Sequence, residues 1–337
     1  MKLAASLLAL AGLAAASPFH VYRATNSSSL PAKTIFQFNE TGTWLENVAV
    51  RPNGDLLLTM LSPSASLWTL KKPYAPDPEM SLVHRFQGGE PGLVGIAETT
   101  PDVFVLVAAD FVAVGEPAPG SYAVWEVSLR GGAAPAVRKV ADFPEARLAN
   151  GAAHVPGGDV VLVADSFAGA LWRLDTRTGR RESVLAVPEM AAPPAGALPI
   201  GINGLKVHGG YAYWSNSAAA AIYRARIGGD GYPVANATVE TVAELDSPFV
   251  DDFAFDSRGL LWAATNSDNK VDVVRPDGTC RTMVGGAAQD TVAGDSAVAF
   301  GRTPWDRSTF YVTTSGALPG NRTEPAKVVA VNRAGFR

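Results

Sequence analysis

The segment NGLKVHGGYAYW, residues 203–214, contains the pattern that decides the fold of this chain. It begins at a polar residue, Asn203, passes through a short apolar step, turns at Gly209-Gly210 and ends in an aromatic-rich run. Aromatic residues favour strands, and a glycine pair between two such runs is typical of a hairpin turn. The segment therefore predicts two antiparallel strands joined by a tight turn.

The same pattern recurs five more times along the chain. Its first residue falls at the equivalent positions Glu46, Val94, Asn150, Asn203, Asp251 and Ser296. These positions lie 45 to 56 residues apart, a period typical of propeller repeats whose units are four-stranded sheets. Runs such as 171–174 and 183–186 supply third and fourth strands. We therefore predict an all-β fold, a six-bladed β-propeller with four-stranded blades.

The two ends of the repeat region predict how the ring closes. Residues 34–38 have a strand pattern but no blade of their own, and the last blade ends at 327–331 without an outer strand. Pairing the N-terminal strand with the last blade removes both exposed edges. A β-sandwich is the alternative architecture, but it would leave the regular spacing unexplained.

The N-terminal residues predict entry into the secretory pathway. An Ala/Leu-rich run too short to span a bilayer ends in small residues, so residues 1–17 match a cleaved signal peptide. We predict an extension over residues 18–33, a single propeller domain over residues 34–337, and no membrane span. Four N-x-S/T sequons favour a secreted or secretory-lumen glycoprotein, with sugars on Asn26, Asn39, Asn236 and Asn321.

Composition excludes several classes of protein. Cys280 is the only cysteine, which excludes an intramolecular disulfide scaffold. The net charge is −4, and only 18% of residues are charged. The sequence has no cluster of basic residues that could bind a phosphate backbone, so nucleic acid is not expected as a partner. No dinucleotide, P-loop, G-x-S-x-G or H-E-x-x-H motif occurs. We expect a monomer that takes a small molecule and no organic cofactor.

Polar residues from four blades are expected to meet at one rim of the central channel. Inner strands line that channel, so the repeat brings together two carboxylates and two carboxamides, Glu46, Asn150, Asn203 and Asp251. Buried carboxylates repel one another unless they are protonated or bound to a cation. A hard cation such as calcium prefers oxygen ligands. The alternative is that each of these residues only caps backbone groups.

Apolar residues flank these positions. Trp44 precedes Glu46, Phe249 precedes Asp251, and two long connections, 110–122 and 188–201, are candidate lids. Together they predict an apolar roof over the polar rim, although each aromatic could instead pack between blades. The expected substrate contacts are Trp44, Phe111, His154 and Phe249.

These residues resemble a known family. The chain is similar over all six blades to the SMP-30/gluconolactonase-like propellers, which themselves resemble paraoxonases and strictosidine synthases. The resemblance rests on Glu46, on Asn150-Gly151 and Asn203-Gly204-Leu205, and on the motif 251–256. In lactonase members the residues matching Glu46, Asn203 and Asp251 bind metal, and the one matching Asn150 binds metal or substrate. The resemblance therefore implies a calcium site and catalytic roles for Asn150, Asn203 and Asp251.

The chain departs from that family pattern in two respects. Asn47-Val48 stands where a small residue and proline are usual, and no histidine pair like that of the paraoxonases is present. Asp165-Ser166, Asn216-Ser217 and Thr265-Asn266 are instead similar to a fungal secretory branch. Members of that branch include hetero-Diels–Alderases of tropolone-sesquiterpene biosynthesis, which hold a quinone methide and a polyene together. Such chemistry needs a pocket whose shape fits the reactants, with apolar walls and a few hydrogen bonds, rather than a nucleophile.

Three functions remain open at this point. The first is an enzyme of fungal specialised metabolism that binds an apolar polyketide- or terpenoid-type intermediate and steers its cyclisation. The second is a calcium-dependent lactone or ester hydrolase of the gluconolactonase type. The third is a non-catalytic binding propeller, because this architecture alone does not imply catalysis.

Overall fold

The computed structural model describes residues 29–86, 91–113, 115–132, 134–194, 199–318 and 322–336. The predicted signal peptide and the sequons at Asn26 and Asn321 lie outside the described residues. Asn39 and Asn236 lie on exposed connections, and their glycosylation stays a prediction. Within the described ranges, no helix has the length and apolar character that a membrane crossing requires.

Six antiparallel sheets form the fold, and the first three blades follow a short N-terminal strand. That strand is β1 (Ala32–Gln37). Blade 1 consists of β2 (Trp44–Val50), β3 (Leu56–Ser62), β4 (Ser66–Lys71) and β5 (Glu79–Arg85). Blade 2 consists of β6 (Pro91–Thr100), β7 (Val103–Ala113), β9 (Ala123–Ser128) and β10 (Ala136–Asp142), with the short β8 (Glu116–Pro117) paired to β7. Blade 3 consists of β11 (Ala149–Val155), β12 (Val160–Asp165), β13 (Ala170–Asp175) and β14 (Arg181–Leu185).

The remaining blades repeat this arrangement after a single turn of 3₁₀-helix at Pro188–Met190. Blade 4 consists of β15 (Ile202–His208), β16 (Tyr211–Asn216), β17 (Ala221–Arg226) and β18 (Val239–Glu244). Blade 5 consists of β19 (Phe253–Phe255), β20 (Leu261–Ala264), β21 (Lys270–Val274) and β22 (Cys280–Gly285). Blade 6 contains β23 (Asp295–Phe300) and β24 (Thr309–Thr314), then a small hairpin of β25 (Ala317–Leu318) and β26 (Arg322–Thr323), and finally β27 (Lys327–Asn332).

The ring closes as the sequence predicted. The sheet order of blade 6 is β1-β27-β24-β23, so the N-terminal strand forms the outer edge of the last blade. Thr34 pairs with Val329 in the antiparallel register of β1 and β27. The inner strands β2, β6, β11, β15, β19 and β23 contact one another in that order around the centre, and β23 contacts β2. The six-bladed prediction is therefore confirmed.

The apolar core lies between successive blades. The second strand of each blade packs on both faces, and every residue of β12 is buried. Trp214 of blade 4 and Trp262 of blade 5 are fully buried in two of these inter-blade clusters. Burial on both faces explains the continuous apolar runs that the repeat shows in its second strands. Packing in this core holds the blades in place, and the blades in turn position the inner strands on which the predicted site residues lie.

Glycines bring the inner strands into close contact at the end where these strands begin. A β-carbon on Gly95 would lie 2.2 Å from the Asn150 carbonyl oxygen, and one on Gly151 would lie 2.3 Å from the Asn203 carbonyl oxygen. Gly204 makes an equivalent approach to the backbone of Asp251-Asp252. Only a residue without a β-carbon fits there. The Asn-Gly pairs of the repeat therefore reflect close packing of neighbouring strands rather than turn formation.

Replacement of Gly151 by alanine should destabilise the protein by about 3 kcal/mol, because the new methyl group meets a backbone carbonyl that cannot rotate away. Gly158→Ala in the same blade is the matched control, since its added methyl group would have no atom within 4 Å beyond its own chain neighbours, and it should change stability by less than about 0.5 kcal/mol. Denaturant unfolding measures both. Equal effects of the two substitutions would contradict the close-packing explanation.

Candidate functional site

The structure brings the predicted polar residues to one end of the channel, which we call the mouth. Glu46, Asn150 and Asn203 lie near the starts of β2, β11 and β15, and Asp251 lies just before β19. All four are buried. The Asn203 side-chain amide donates to Oδ1 of Asp251 and to Oγ of Ser217, both at 2.9 Å. Blades 4 and 5 are thus joined directly through two of the predicted site residues.

Sequence reasoning assigned no role to Asn266, which contacts Asp251 from its own blade. Its Nδ2 donates to Oδ2 of Asp251 at 2.8 Å, so both carboxylate oxygens of Asp251 have an amide partner. Asn266 follows the second strand of blade 5, as Ser217 follows that of blade 4. The repeat contained this signal: Ser166, Ser217, Asn266 and Ser315 hold the equivalent position in four blades.

Asp252 forms the floor of the mouth, a role the sequence did not indicate. Its carboxylate is bound by both the Lys206 ammonium, at 2.6 and 2.8 Å, and the Asn47 amide, at 3.0 Å. These contacts come from blades 4 and 1, while Asp252 belongs to blade 5. The Lys206 contact joins adjacent blades, and the Asn47 contact crosses the channel at the residue that follows Asp251. Asn47, the departure from the family motif, is explained by this contact.

Burial makes the two carboxyl groups of the mouth hard to ionise. The pKa of Glu46 is raised to about 7 by burial and by the charge of Asp252, against the lowering effect of the Trp44 indole. Burial and the charge of Glu46 raise the pKa of Asp251 well above its ordinary value. Within the described residues, the Lys206 ammonium forms its ion pair with Asp252, and neither Glu46 nor Asp251 has a salt-bridge partner. The mouth therefore favours protons or another positive charge at neutral pH.

Several buried polar atoms at the mouth have no hydrogen-bond partner among the described residues. They are Oε2 of Glu46, Nε1 of Trp44, the hydroxyl of Tyr122 and Oγ of Ser166. Trp44 is close enough to Glu46 to lower its pKa, but the two groups lack standard hydrogen-bond geometry. Buried polar groups without partners are uncommon in folded proteins and are often explained by a ligand, water or ion.

The predicted substrate contacts do not all lie together. Trp44 opens β2 beside Glu46, and Phe249 is buried two residues before Asp251. Phe111 is also buried, and it packs in the core cluster that contains Tyr122. His154 lies at the far end of β11, where its Nε2 is 2.8 Å from the Gly158 carbonyl oxygen in the following turn. The structure therefore does not bring His154 to the mouth.

The two candidate lids contain more regular structure than the sequence suggested. In the first, the described residues show β7 continuing to Ala113 and pairing back with β8. In the second, the 3₁₀ turn buries Met190, and Asn216 donates to the Glu189 and Ala191 carbonyl oxygens. Both connections are thus anchored to their blades over the described residues.

The donor set of the mouth fits a hard cation. Glu46 and Asp251 provide carboxylates, Asn150 and Asn203 provide carboxamides, and Oε2 of Glu46 has no other partner among the described residues. Over those same ranges, no cluster of three His, Cys, Asp or Glu side chains forms a metal site by itself. Any cation would therefore depend on the asparagine oxygens as well. A bound cation would also favour ionisation of the two carboxyl groups.

Comparison with known proteins assigns the family. A protein named "Putative hetero-Diels-Alderase asR5", from Sarocladium schorii, is 32% identical over 313 residues, which cover 84% of this chain and 78% of that protein. The chain belongs to the hetero-Diels-Alderase family. A "Putative hetero-Diels-Alderase" from a Phoma species is 33% identical over 312 residues, covering 86% of this chain and 88% of that protein. No protein-family model matches the chain.

Solved structures show the same fold at low sequence identity. A calcium-binding protein, regucalcin, from Agrobacterium tumefaciens matches with a TM-score of 0.61 and 14% identity, over 90% of this chain and 94% of that one. A "putative gluconolactonase" matches with a TM-score of 0.59 and 14% identity, over 91% and 93%. This member of the hetero-Diels-Alderase family thus shares its propeller fold with these two proteins. The relatives are named as enzymes, which agrees with the prediction that this chain is an enzyme and not a non-catalytic binding propeller.

Proposed function

We propose that the protein binds an apolar polyketide- or terpenoid-type intermediate at the mouth and steers its cyclisation as a hetero-Diels–Alder reaction. Support comes from the hetero-Diels-Alderase relatives and from the chemistry of the mouth. The observation that carries the proposal is the half-buried Trp44 beside the buried Glu46, whose Nε1 and Oε2 atoms lack partners among the described residues at the entrance to the ring. A bound organic molecule with a polar group would supply those partners.

The residues present suit a reaction that requires no nucleophile. In a hetero-Diels–Alder reaction, π electrons rearrange to form a C–O and a C–C bond, and no atom leaves. A protein accelerates such a step by holding the two unsaturated parts in a reactive orientation and by excluding water. Trp44 and Phe249 provide apolar surface beside the polar groups. Glu46, with a pKa of about 7, can offer a proton for a hydrogen bond.

The test is a product analysis with a reactive quinone methide and a polyene as substrates. We expect the protein to favour one cycloadduct over the mixture formed in buffer, and Trp44→Ala or Phe249→Ala to lower that selectivity at least about tenfold, since misplacement by about 1 Å costs on the order of 100-fold. Lys71→Met, at the exposed end of β4, is the control. Identical product ratios with and without protein would contradict the proposal.

A calcium-dependent lactone or ester hydrolase is the second candidate, and the all-oxygen donor set of the mouth favours it. Glu46, Asn150, Asn203 and Asp251 would hold the cation, which would polarise a substrate carbonyl. We expect calcium to bind in calorimetry and to raise the melting temperature, with both effects lost in Asp251→Asn. Lactone turnover that persists after exhaustive EDTA treatment would contradict this second function, and the absence of calorimetric binding would contradict the calcium site.

A secretory location is part of the same proposal. The N-terminal sequence and the sequons support it, and Asn39 and Asn236 are exposed enough to carry sugars. Expression in a eukaryotic secretory host followed by glycosidase treatment tests this. We expect a mobility shift that is reduced by Asn39→Gln and by Asn236→Gln. A protein that stays in the cytosol without sugars would contradict it.

A further inference from the structure

A polar cavity, which we call the far cavity, lies between blades 2 and 3 at the end of the propeller opposite to the mouth. Residues of the hairpins β6–β7, β9–β10, β11–β12 and β13–β14 line it. The inner strands begin at the mouth, so these hairpins lie at the other end. The volume is about 490 Å³, within the range of roughly 300–1,000 Å³ typical of small-molecule sites. None of the residues assigned to the mouth lines this cavity.

Three arginines line the far cavity, and they come from both blades. Arg130 and Arg138 belong to blade 2, and Arg177 belongs to blade 3. The carboxylates among the lining residues are Glu126 and Asp159. Three cations against two anions leave one positive charge in excess. The lining therefore favours a ligand that carries negative charge.

Arg138 joins the two blades and neutralises Glu126. Its Nε and Nη2 each donate to one carboxylate oxygen of Glu126, both at 2.7 Å. The same Nη2 donates across the blade boundary to the Thr176 carbonyl oxygen at 3.2 Å. This two-fold pairing is the strongest geometry between a guanidinium and a carboxylate. The wall formed by Arg138 and Glu126 is therefore fixed before any ligand binds.

The other two guanidinium groups keep nitrogen atoms available for a ligand. Nε of Arg130 donates to the Pro101 carbonyl oxygen at 2.9 Å, and its terminal nitrogens make no hydrogen bond to the described residues. Nε of Arg177 lies 3.8 Å from Oδ2 of Asp159, too far for a hydrogen bond, and both side chains are largely exposed. Guanidinium groups in this condition bind carboxylates readily.

The remaining lining restricts the chemistry of the ligand further. Thr100 and Ser128 contribute hydroxyl groups, Val103 contributes a small apolar surface, and no aromatic side chain is present among the described lining residues. An aromatic or apolar ligand therefore has no ring to stack on. The Asp159 carboxylate repels a purely anionic ligand but accepts a hydrogen bond from a hydroxyl. A ligand that fits both features carries carboxylates and a hydroxyl group.

We propose that the far cavity is a second binding site, for a small hydroxylated organic anion of the hydroxypolycarboxylate type. Arg130 and Arg177 bind its carboxylates, Asp159 accepts from its hydroxyl, and Arg138 holds the two blades together behind it. This ligand is opposite in character to the apolar molecule proposed for the mouth, so neither proposal depends on the other. The arginines are dispersed along the sequence, and only the packing of blade 2 on blade 3 collects them.

The experiment titrates the intact protein with citrate and with two matched probes in a calorimeter. Trimethyl citrate keeps the carbon skeleton without the charges, and tricarballylate lacks only the hydroxyl. A chelating resin first removes divalent cations, because citrate binds them. We expect citrate to bind at least about tenfold more tightly than the ester and about threefold more tightly than tricarballylate, since one hydrogen bond contributes roughly that factor.

Substitutions then locate the bound anion. Arg130→Gln and Arg177→Gln should each weaken citrate binding about threefold, and the double variant about tenfold, because each removes one exposed charge contact. Arg180→Gln is the matched control, since Arg180 lies in the same hairpin as Arg177 but does not line the cavity. It should leave the affinity unchanged. The melting temperature without citrate should stay within about 2 °C in all variants, because the substituted side chains are at the surface.

Several results would overturn the inference. They are the absence of citrate binding by the wild type up to about 10 mM, an ester that binds as tightly as citrate, an unchanged affinity in the double variant, and a loss in Arg180→Gln equal to that in Arg177→Gln. The comparison of probes uses the wild type alone, so it tests the recognition of charge even where a variant is unstable. Selective cycloaddition at the mouth is measured separately and has no bearing on these outcomes.

Discussion

Glu46→Gln should raise the free energy of unfolding at pH 8 by about 2–3 kcal/mol in EDTA. At that pH the wild-type carboxyl is ionised in a buried site with Oε2 unpaired among the described residues and Asp252 nearby. Each unit of pKa shift corresponds to about 1.4 kcal/mol. Glutamine keeps the shape of the side chain and cannot ionise, so the cost of the buried charge disappears.

The pH dependence of stability has a definite sign. The Glu46 carboxyl has an ordinary value of 4.5 and a folded-state pKa of about 7. The stability linked to this shift is fully present below pH 4.5, where folded and unfolded chains both hold the proton, and is lost as the pH rises through about 7. Wild-type stability should therefore fall between pH 5 and pH 8, and that of Glu46→Gln should fall less. Denaturant unfolding at both pH values measures this.

The matched control is Glu79→Gln in the same blade. The Glu79 side chain is 70% exposed and pairs with Lys71 on the surface, so its loss should change stability by less than about 1 kcal/mol. Calcium added at pH 8 should stabilise the wild type and not Glu46→Gln if the cation binds at the mouth. A Glu46→Gln protein less stable than the wild type at pH 8 in EDTA would contradict the buried-charge explanation.

Lys206→Met should destabilise the protein by about 3–5 kcal/mol, because it leaves the Asp252 carboxylate buried without its cation. The Lys206 ammonium contacts both carboxylate oxygens at 2.6 and 2.8 Å, and the Asp252 side chain is only 4% exposed. The Asn47 amide and the Phe253 backbone amide remain as partners, but neither carries a charge. Thermal and denaturant unfolding measure the loss.

Two further variants define what the Lys206 result means. Lys71→Met removes an exposed ion pair with Glu79 and should cost less than about 1 kcal/mol. The double variant Lys206→Met/Asp252→Asn removes both charges and should recover much of the stability lost by Lys206→Met alone. A double variant as unstable as the single one would show that packing of the lysine stem, and not its charge, supports the floor.

The repeat pattern predicted the blades well because the relevant physics is local. Each blade needs an apolar second strand and a glycine-containing turn. Both can be recognised within about a dozen residues of sequence, as in 203–214. The equivalence of Glu46, Asn203 and Asp251 also followed from position in the repeat, and the structure places all three near the mouth. His154 shows the limit of that method. It lies on the expected inner strand but at the opposite end.

Contacts across the channel could not be predicted in the same way. Asn47 and Asp252 are separated by 205 positions in sequence and meet only because the ring closes. The sequence pattern assigned no role to Asp252, whereas the structure shows a buried ion pair with Lys206. The repeat marks the position of Asn266 after the second strand, but its hydrogen bond to Asp251 depends on the bend that follows β20.

The amino-acid sequence by itself determined the number of blades, the closure of the ring and the rim at which the polar residues begin their strands. These follow from hydrophobic periodicity and turn residues, which act over short distances. Only the tertiary structure decided which polar groups are paired, because pairing depends on side chains from different blades. Over the described residues it satisfies Asp251 and Asp252 and leaves Glu46, Tyr122 and Ser166 with unpaired atoms. The unpaired Glu46 oxygen at the mouth is the observation on which the proposed ligand site rests.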